Sequence, residues 1–301
     1  MIIADEQTGE VTKEKIVYIA KPEHVGEYMA LDDKQIGNQT YSIMTNSITG
    51  KIAFLVPTVK AEELKIAIKY LGDSINQIRS ISCDMAPSYL NFCENSFKDC
   101  TIVIDKFHVI KYVYDAVQKV RRSIKATLLL SLPKGKRTKK EGETWTIIEQ
   151  LHRSRYLLNQ SVEDWTKEGK EMMEGLFKSF PNLETAYILA QDFKRWYDKK
   201  NCNKQKIILE QELFRWLEKV ENSELEEFKS AKKMIEKHED NIINYFQKAK
   251  TNARVTNKQH YTTILQPQKP AKQKKPKHKE RRSDHHKKHK VGAQLRHKAL
   301  A

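Results

Sequence analysis

The sequence predicts an α/β fold, a mixed five-stranded sheet with flanking helices, followed by a long all-helical stretch and a basic tail with no core of its own. Three observations carry this. Between residues 28 and 56, three short apolar runs separated by turn signals read as an antiparallel meander. From 61 to 122 the pattern alternates helix, strand, helix, strand, helix, and its two strands are short and apolar. From 145 to 246 the apolar residues recur only at helical intervals.

Taken in order, residues 1–26 form a short N-terminal segment, polar apart from an apolar run at 16–20. The first strand, 28–31, ends on Asp32 and Asp33; the second spans 41–44 and the third 52–56, with Thr49-Gly50 as the turn between them. Residues 61–71 have helical spacing. The strand 78–83 closes on Asp84, and Pro87 stands where a helix takes its first turn. The strand 101–104 closes on Asp105, followed by Lys106, Phe107 and His108. From His108 a helix begins whose single buried face is Val109, Tyr112, Val113, Ala116, Val117 and Val120. Three hairpin-linked strands and then helix, strand, helix, strand, helix is the order of an RNase H-like core, here residues 27–133.

A basic loop at 134–140 opens a helical insertion assigned to 134–240, with helices expected at 145–158, 162–180, 183–197, 206–216 and 224–246. Its Trp165, Met172, Met173, Leu176, Phe177, Tyr187, Leu189, Phe193 and Trp196 read as core rather than as a base-stacking surface. Residues 241–255 begin a helical region returning to the sheet. Residues 256–301 are rich in Lys, Pro, Gln and His with no apolar face, a composition that cannot offset its ordering entropy and is expected to be disordered.

Composition narrows the class. No apolar run approaches the roughly 18–20 residues of a membrane span, and the first residues are no signal peptide, so a soluble cytoplasmic protein is expected. The cysteines Cys83, Cys93, Cys100 and Cys202 include no Cys-x-x-Cys pair and point to free thiols in a reducing compartment. Residues 256–301 hold 14 Lys or Arg against 2 Asp or Glu, so most of the net charge of +16 sits in the tail and the body is nearly balanced. Six histidines in the tail are too scattered to read as a metal site.

In α/β units the carboxyl ends of strands open onto the ligand crevice, which makes Asp84 and Asp105 candidates for chemistry. A single Asp in such a place is more often a helix cap. The whole phrase decides otherwise: Ser82-Cys83-Asp84-Met85-Ala86-Pro87-Ser88-Tyr89, then Asp105-Lys106-Phe107-His108-Val109-Ile110-Lys111, resembles the DDE transposases of bacterial insertion sequences, specifically the ISL-three family. Arg153-Ser154-Arg155-Tyr156-Leu157-Leu158 and Ala186-Tyr187-Ile188-Leu189 also resemble that family, which has an all-helical insertion between its second and third acids.

The resemblance implies an activity and a site. The activity is metal-dependent DNA cleavage and strand transfer at the ends of an insertion sequence. Asp84 takes the place of the second catalytic acid and Asp32 that of the first, with Asp33 where Glu is usual; Asp105 and His108 are the family's signature pair. Asp32 and Asp84 are then metal ligands for Mg²⁺ or Mn²⁺. In-line attack on phosphorus needs both the entering and the leaving oxygen stabilised, which two hard cations held by carboxylates accomplish. Transposon ends and target DNA are the implied partners, with no membrane, and the active form is expected to be a homo-oligomer acting in the bacterial cytoplasm on the nucleoid.

The chain also departs from the family pattern. The third acid, Glu, follows a phrase like Thr251-Asn252-Ala253-Arg254-Val255, but Thr256 and Asn257 stand there, and no acid occurs between Asp240 and Glu280. A change of frame or a fusion near Val255 is the expected origin. Nothing before Asp32 matches the zinc ribbon and helix-turn-helix that family members carry, so the domain is expected to be shortened at both ends. The alternative to an active transposase is therefore an inactive remnant with only non-specific DNA binding. Substitute third acids to consider are Asp192, Glu236, Glu239 and Asp240. Candidate DNA contacts are Arg153 and Arg155 and, in the tail, Lys274, Lys275, Arg281 and Arg282.

Overall fold

A computed structural model describes residues 19–131 and 145–248. Its organising element is a mixed six-stranded sheet: β1 (Ile19–Ala20), β2 (Tyr28–Ile36), β3 (Gln39–Asn46), β4 (Ile52–Val56), β5 (Ser80–Cys83) and β6 (Thr101–Ile104), in the spatial order β1-β4-β3-β2-β5-β6. The expected meander is there, with β2, β3 and β4 pairing antiparallel in succession, while β5 and β6 add in parallel beside β2. A sixth strand, two residues long, pairs Ile19 with Leu55 and Ala20 with Phe54, so the five-stranded expectation is one strand short. A two-residue strand has too little pattern to be seen in sequence.

The first long strand does not end at Asp32. Its parallel pairing with β5 stops at Leu31, but its antiparallel pairing with β3 runs on through Ile36 to a tight turn. Gly37 takes φ +61° there, the positive value that a two-residue hairpin turn needs at its first position. Asp32 thus lies where β2 loses one neighbour and keeps the other. The β3–β4 turn is held by Asn46, whose Oδ1 accepts the N–H groups of Ile48 and Thr49, with Gly50 at φ +73°.

Helices α1 (Ala61–Ala67) and α2 (Pro87–Ser96) pack Leu64, Ala67, Tyr89, Leu90 and Phe92 against Met29, Leu31, Met44 and Phe54 of the sheet. The expected helix at 61–71 is shorter than predicted, because 3₁₀ turns take over at Ile68 and break at Gly72, which has φ +55°. Helix α3 (Lys106–Ser131) buries Val109, Val113, Ala116, Val117 and Val120, but Tyr112, assigned to that face, is 45 % exposed. Arg121 is buried there instead, donating through Nη1 to the Leu151 carbonyl at 2.9 Å.

The remaining helices are α4 (Ile147–Leu157), α5 (Lys167–Ser179), α6 (Pro181–Trp196), α7 (Lys206–Asn222), α8 (Lys229–Lys237) and α9 (Glu239–Lys248). A capping box starts α4, with Thr146 and Glu149 bonding reciprocally. The single helix expected at 162–180 is divided: Trp165 is extended and buried, its Nε1 donating to the Leu157 carbonyl, and Thr166 caps a new helix at the Gly169 N–H. The helix expected to stop at 216 runs on to Asn222, and the one expected at 224–246 breaks at His238, where φ is −118°. Aromatic side chains fill this core, with Phe193 meeting Trp196, Tyr197 and Trp216 at centroid distances of 5.4, 5.8 and 4.7 Å. Such tilted and edge-on pairs contribute about 0.5–1.5 kcal/mol each beyond their area. Finally α9 lies along the edge strand β6, where Asn244 Nδ2 donates to the Ile102 carbonyl at 3.1 Å and satisfies part of an otherwise open edge.

Candidate active site

The register of the parallel strands places the acids. Leu31 pairs with Cys83, and Cys83 with Ile104, so Asp32, Asp84 and Asp105 each come next along three neighbouring strands and continue one row across the sheet. They follow Ala30, Ser82 and Val103, which also share a row, so by the period of two all three start from the same face. Adjacent strands lie about 4.8 Å apart, which puts Asp84 one step from each of the other two.

Each carboxylate is fixed locally by a backbone N–H. Asp32 Oδ1 accepts from Asp33 N at 2.8 Å, Asp84 Oδ1 from Met85 N at 2.5 Å, and Asp105 Oδ1 from Phe107 N at 2.6 Å. The Asp105 carbonyl also accepts from His108 N and Val109 N, so this residue begins α3 as a helix cap. The first turn of α3 then carries His108 back to the row, with Nε2 at 3.7 Å from Asp84 Oδ2. His108 Nδ1 is buried and meets no hydrogen-bond partner among the described residues.

The surroundings of Asp32 act on its charge in opposing ways. The residue is open to solvent at its surface, yet surrounding protein partly desolvates the carboxyl and raises its pKa; the charges of Asp33 and Asp105 act in the same direction. The Asp33 N–H and His108 pull it back down. Under the row, Tyr89 donates to Ser42 Oγ at 2.9 Å, and burial holds its phenol well above the ordinary tyrosine value.

The donor set suits a hard divalent cation in part. Asp32 and Asp84 each keep one carboxylate oxygen off the backbone, and carboxylates are the ligands such ions prefer. Among the described residues no three His, Cys, Asp or Glu side chains converge on one point to complete a site. The substitute acids lie elsewhere. Asp192 pairs with Arg195 and Lys219, Glu236 with Lys232, and Asp240 with Lys206, while Glu239 is influenced by Glu210, Asp240, Lys206 and Glu236 rather than by the row.

Arg153 and Arg155 are exposed on α4 but are not brought to the acids. Arg153 stacks on Trp145 at 3.5 Å, and the Arg155 carbonyl accepts from Gln118 Nε2, ten residues and about 15 Å along α3 from His108. Lys274, Lys275, Arg281 and Arg282 lie outside the described residues, as do the basic loop at 134–140 and the departure at 256–257.

Sequence reasoning missed the surroundings of the row. Phe107 is 66 % exposed beside it, with its ring edge-on to His108 at 5.7 Å. Lys106 sits between the rings of Tyr197 and Tyr245, at 5.6 and 5.5 Å from their centroids, and its burial there lowers its pKa. For Phe107 a signal existed: it falls off the apolar stripe of its helix. For Lys106 there was none, because its partners come from α9 and from the turn after α6.

No described helix is long and apolar enough to cross a membrane. Comparison with curated proteins gives no match. A family model described as Transposase, that of the ISL-three DDE group, matches residues 29–260, a span that contains the row of acids, α3 and all of the described helices beyond it. The chain therefore belongs to the ISL-three family of DDE transposases.

Proposed function

We propose that this chain is the catalytic part of an insertion-sequence transposase that cleaves DNA at element ends and transfers the new 3′ ends to target DNA. Its sheet with α1–α3 is read as an RNase H-like core over residues 27–133, and residues 134–240 as a helical insertion. The observation that carries the reading is the shared row of Asp32 and Asp84 on neighbouring parallel strands, with His108 returned to it by α3.

A bound divalent cation would supply charge stabilisation for the oxygens that enter and leave phosphorus. Asp32 and Asp84 are the residues that would hold it. The pKa of Asp32 is raised first by desolvation and then by the charges of Asp33 and Asp105, and a cation held there would offset both. The Met85 N–H orients the Asp84 carboxylate, and His108 Nε2 faces its other oxygen at 3.7 Å. Asp105 builds the helix start that delivers His108, a positioning role.

A second reading is favoured by one observation: Thr256 and Asn257 stand where the resemblance places the third acid. On that reading the fold is retained, cleavage is lost, and DNA binding without sequence preference is what remains.

Nicking and strand transfer on plasmid DNA by the full chain with Mg²⁺ or Mn²⁺ separate the two. Metal-dependent cleavage that disappears in Asp84→Ala supports the enzyme. Salt-sensitive binding without cleavage in either protein supports the remnant. Cleavage unchanged in Asp84→Ala contradicts the assignment of the row.

A further inference from the structure

Arg121 is a charge that the fold buries and then leaves without a counter-charge. It lies on the core side of α3, 8 % exposed, and its guanidinium is used only in part. Nε donates to Gln118 Oε1 at 2.8 Å and Nη1 to the Leu151 carbonyl at 2.9 Å, while Nη2 donates to no acceptor among the described residues. Both acceptors are neutral, and burying an ion is costly unless an opposite charge offsets it. The charges that bear on Arg121 repeat its own instead: burial lowers its pKa first, and Arg122 and Arg155 lower it further.

Local structure brings the three arginines together. Gln118 is the bridge, since the amide whose oxygen accepts from Arg121 also donates to the Arg155 carbonyl at 2.9 Å and to Asn159 Oδ1 at 3.1 Å. It thereby ties the last turn of α4 to the middle of α3. Arg155 is exposed, with its guanidinium 5.5 Å from the centre of the outward Tyr156 ring. Arg122, also exposed, borders a hollow between α3 and α8 that holds Asp115 and Glu227, yet it pairs with neither. Among the described residues none of the three forms an ion pair, whereas Lys204 pairs with Glu212 and Lys219 with Asp192.

Three guanidinium groups, one of them buried, with no carboxylate paired to any, describe an anion site. The planar fork of Arg matches phosphate oxygens two at a time. Three cations without a counter-charge also favour phosphate over a single carboxylate. The site lies thirteen residues and about 20 Å along α3 from His108, so it is separate from the row of acids.

We propose that Arg121, Arg122 and Arg155 form a phosphate-binding site at the junction of α3 and α4, its ligand a phosphate group carried by a DNA backbone or free in solution. Arg121 is the fixed base of the site, and the two exposed arginines flank the ligand. The site itself does not depend on the reading of the chain as a DNA-cleaving enzyme; only the DNA source draws on it.

Thermal unfolding of the full metal-free chain in sodium phosphate, against sodium chloride at equal ionic strength, tests the site. A ligand that binds only the folded state raises the unfolding midpoint, whereas phosphate bound alike by folded and unfolded chain does not. The general salting effect of phosphate is shared by every variant, so the site is read from the part of the shift that a substitution removes. Each variant is compared with itself in chloride, which takes out its own stability. Arg155→Gln and Arg122→Gln should each lose most of the shift, and Arg121→Lys, which keeps the charge without the fork, should reduce it. Lys69→Gln, which removes an exposed charge from the 3₁₀ turns after α1, should keep it. A shift of equal size in the wild type, Arg155→Gln and Arg122→Gln overturns the proposal, and so does an equal shift from acetate, which would give the site to carboxylates. Asp84→Ala should keep the shift; losing it there would place the phosphate at the row of acids and overturn the proposal too.

Binding to random-sequence duplex DNA identifies the source. If DNA supplies the phosphate, the slope of log affinity against log salt concentration falls by about 0.9 in Arg155→Gln and stays in Lys69→Gln. A phosphate shift that depends on Arg155, with that slope unchanged, assigns the site to free phosphate. Plasmid nicking by the wild type is judged separately: nicking without an Arg155-dependent shift removes this site alone, and the shift without nicking removes the cleavage reading alone.

Discussion

Tyr89, Ser42 and Thr58 form a buried relay whose direction is fixed, and its energetics can be worked out before measurement. Ser42 is fully buried, and its one hydroxyl proton goes to the Thr58 carbonyl at 2.5 Å, so the proton between Tyr89 and Ser42 comes from the phenol. Tyr89→Phe removes that donor and leaves the rest of the relay intact, at a cost of about 1 kcal/mol. Ser42→Ala does more harm, stranding the Tyr89 hydroxyl and the Thr58 carbonyl together, and about 3 kcal/mol is expected. In the double variant only the carbonyl is stranded, for about 2 kcal/mol. The two single costs therefore exceed the double by about 2 kcal/mol, a coupling well outside the scatter of independent sites. Urea unfolding followed by circular dichroism, with equal denaturant slopes across the four proteins, measures it. Costs that add to within about 0.5 kcal/mol would refute the relay. Ser42 pairs across the hairpin with Asp33, so the relay ties α2 to the strand that carries Asp32.

Three further outcomes follow from the same reasoning. Asp32 has a folded pKa above its unfolded value, so it favours the native state most below the ordinary carboxylate range and loses that contribution as pH rises through the folded pKa. Thermal unfolding of the metal-free protein should accordingly show Asp32→Asn more stable than wild type at neutral pH, with the advantage vanishing in acid; a less stable variant at neutral pH would contradict this. Arg121→Ala leaves the buried Leu151 carbonyl without its donor and should cost about 2–3 kcal/mol in denaturant unfolding. Removing residues 256–301, which hold 14 of the basic residues, should weaken binding to random duplex DNA and flatten its dependence on salt, read from the slope of log affinity against log salt concentration.

The ends of β5 and β6 were legible because each strand is a short apolar run cut off by an acid, and each acid is followed by helix-starting residues. Asp32 was only partly legible. Residues 32–35 are all polar and exposed, so the alternation that marks a strand disappears although pairing with β3 continues to Ile36. The break at His238 carries no Gly or Pro and comes from packing, with α8 and α9 each burying its own face. The cage around Lys106 depends on contacts between segments about ninety or more residues apart, which no local pattern reports. The family, by contrast, could be read from one ordered phrase around Asp84 and Asp105, and the family model matches over residues 29–260.

The central claim is that Asp32 and Asp84 jointly hold a divalent cation. Calorimetric titration of the full chain with Mg²⁺ addresses it most directly, because tail histidines are poor ligands for that hard ion. The account predicts a binding heat for the wild-type chain that is lost in Asp32→Asn and equally in Asp84→Asn. A wild-type heat that persists undiminished in both variants would contradict it and place the ion elsewhere.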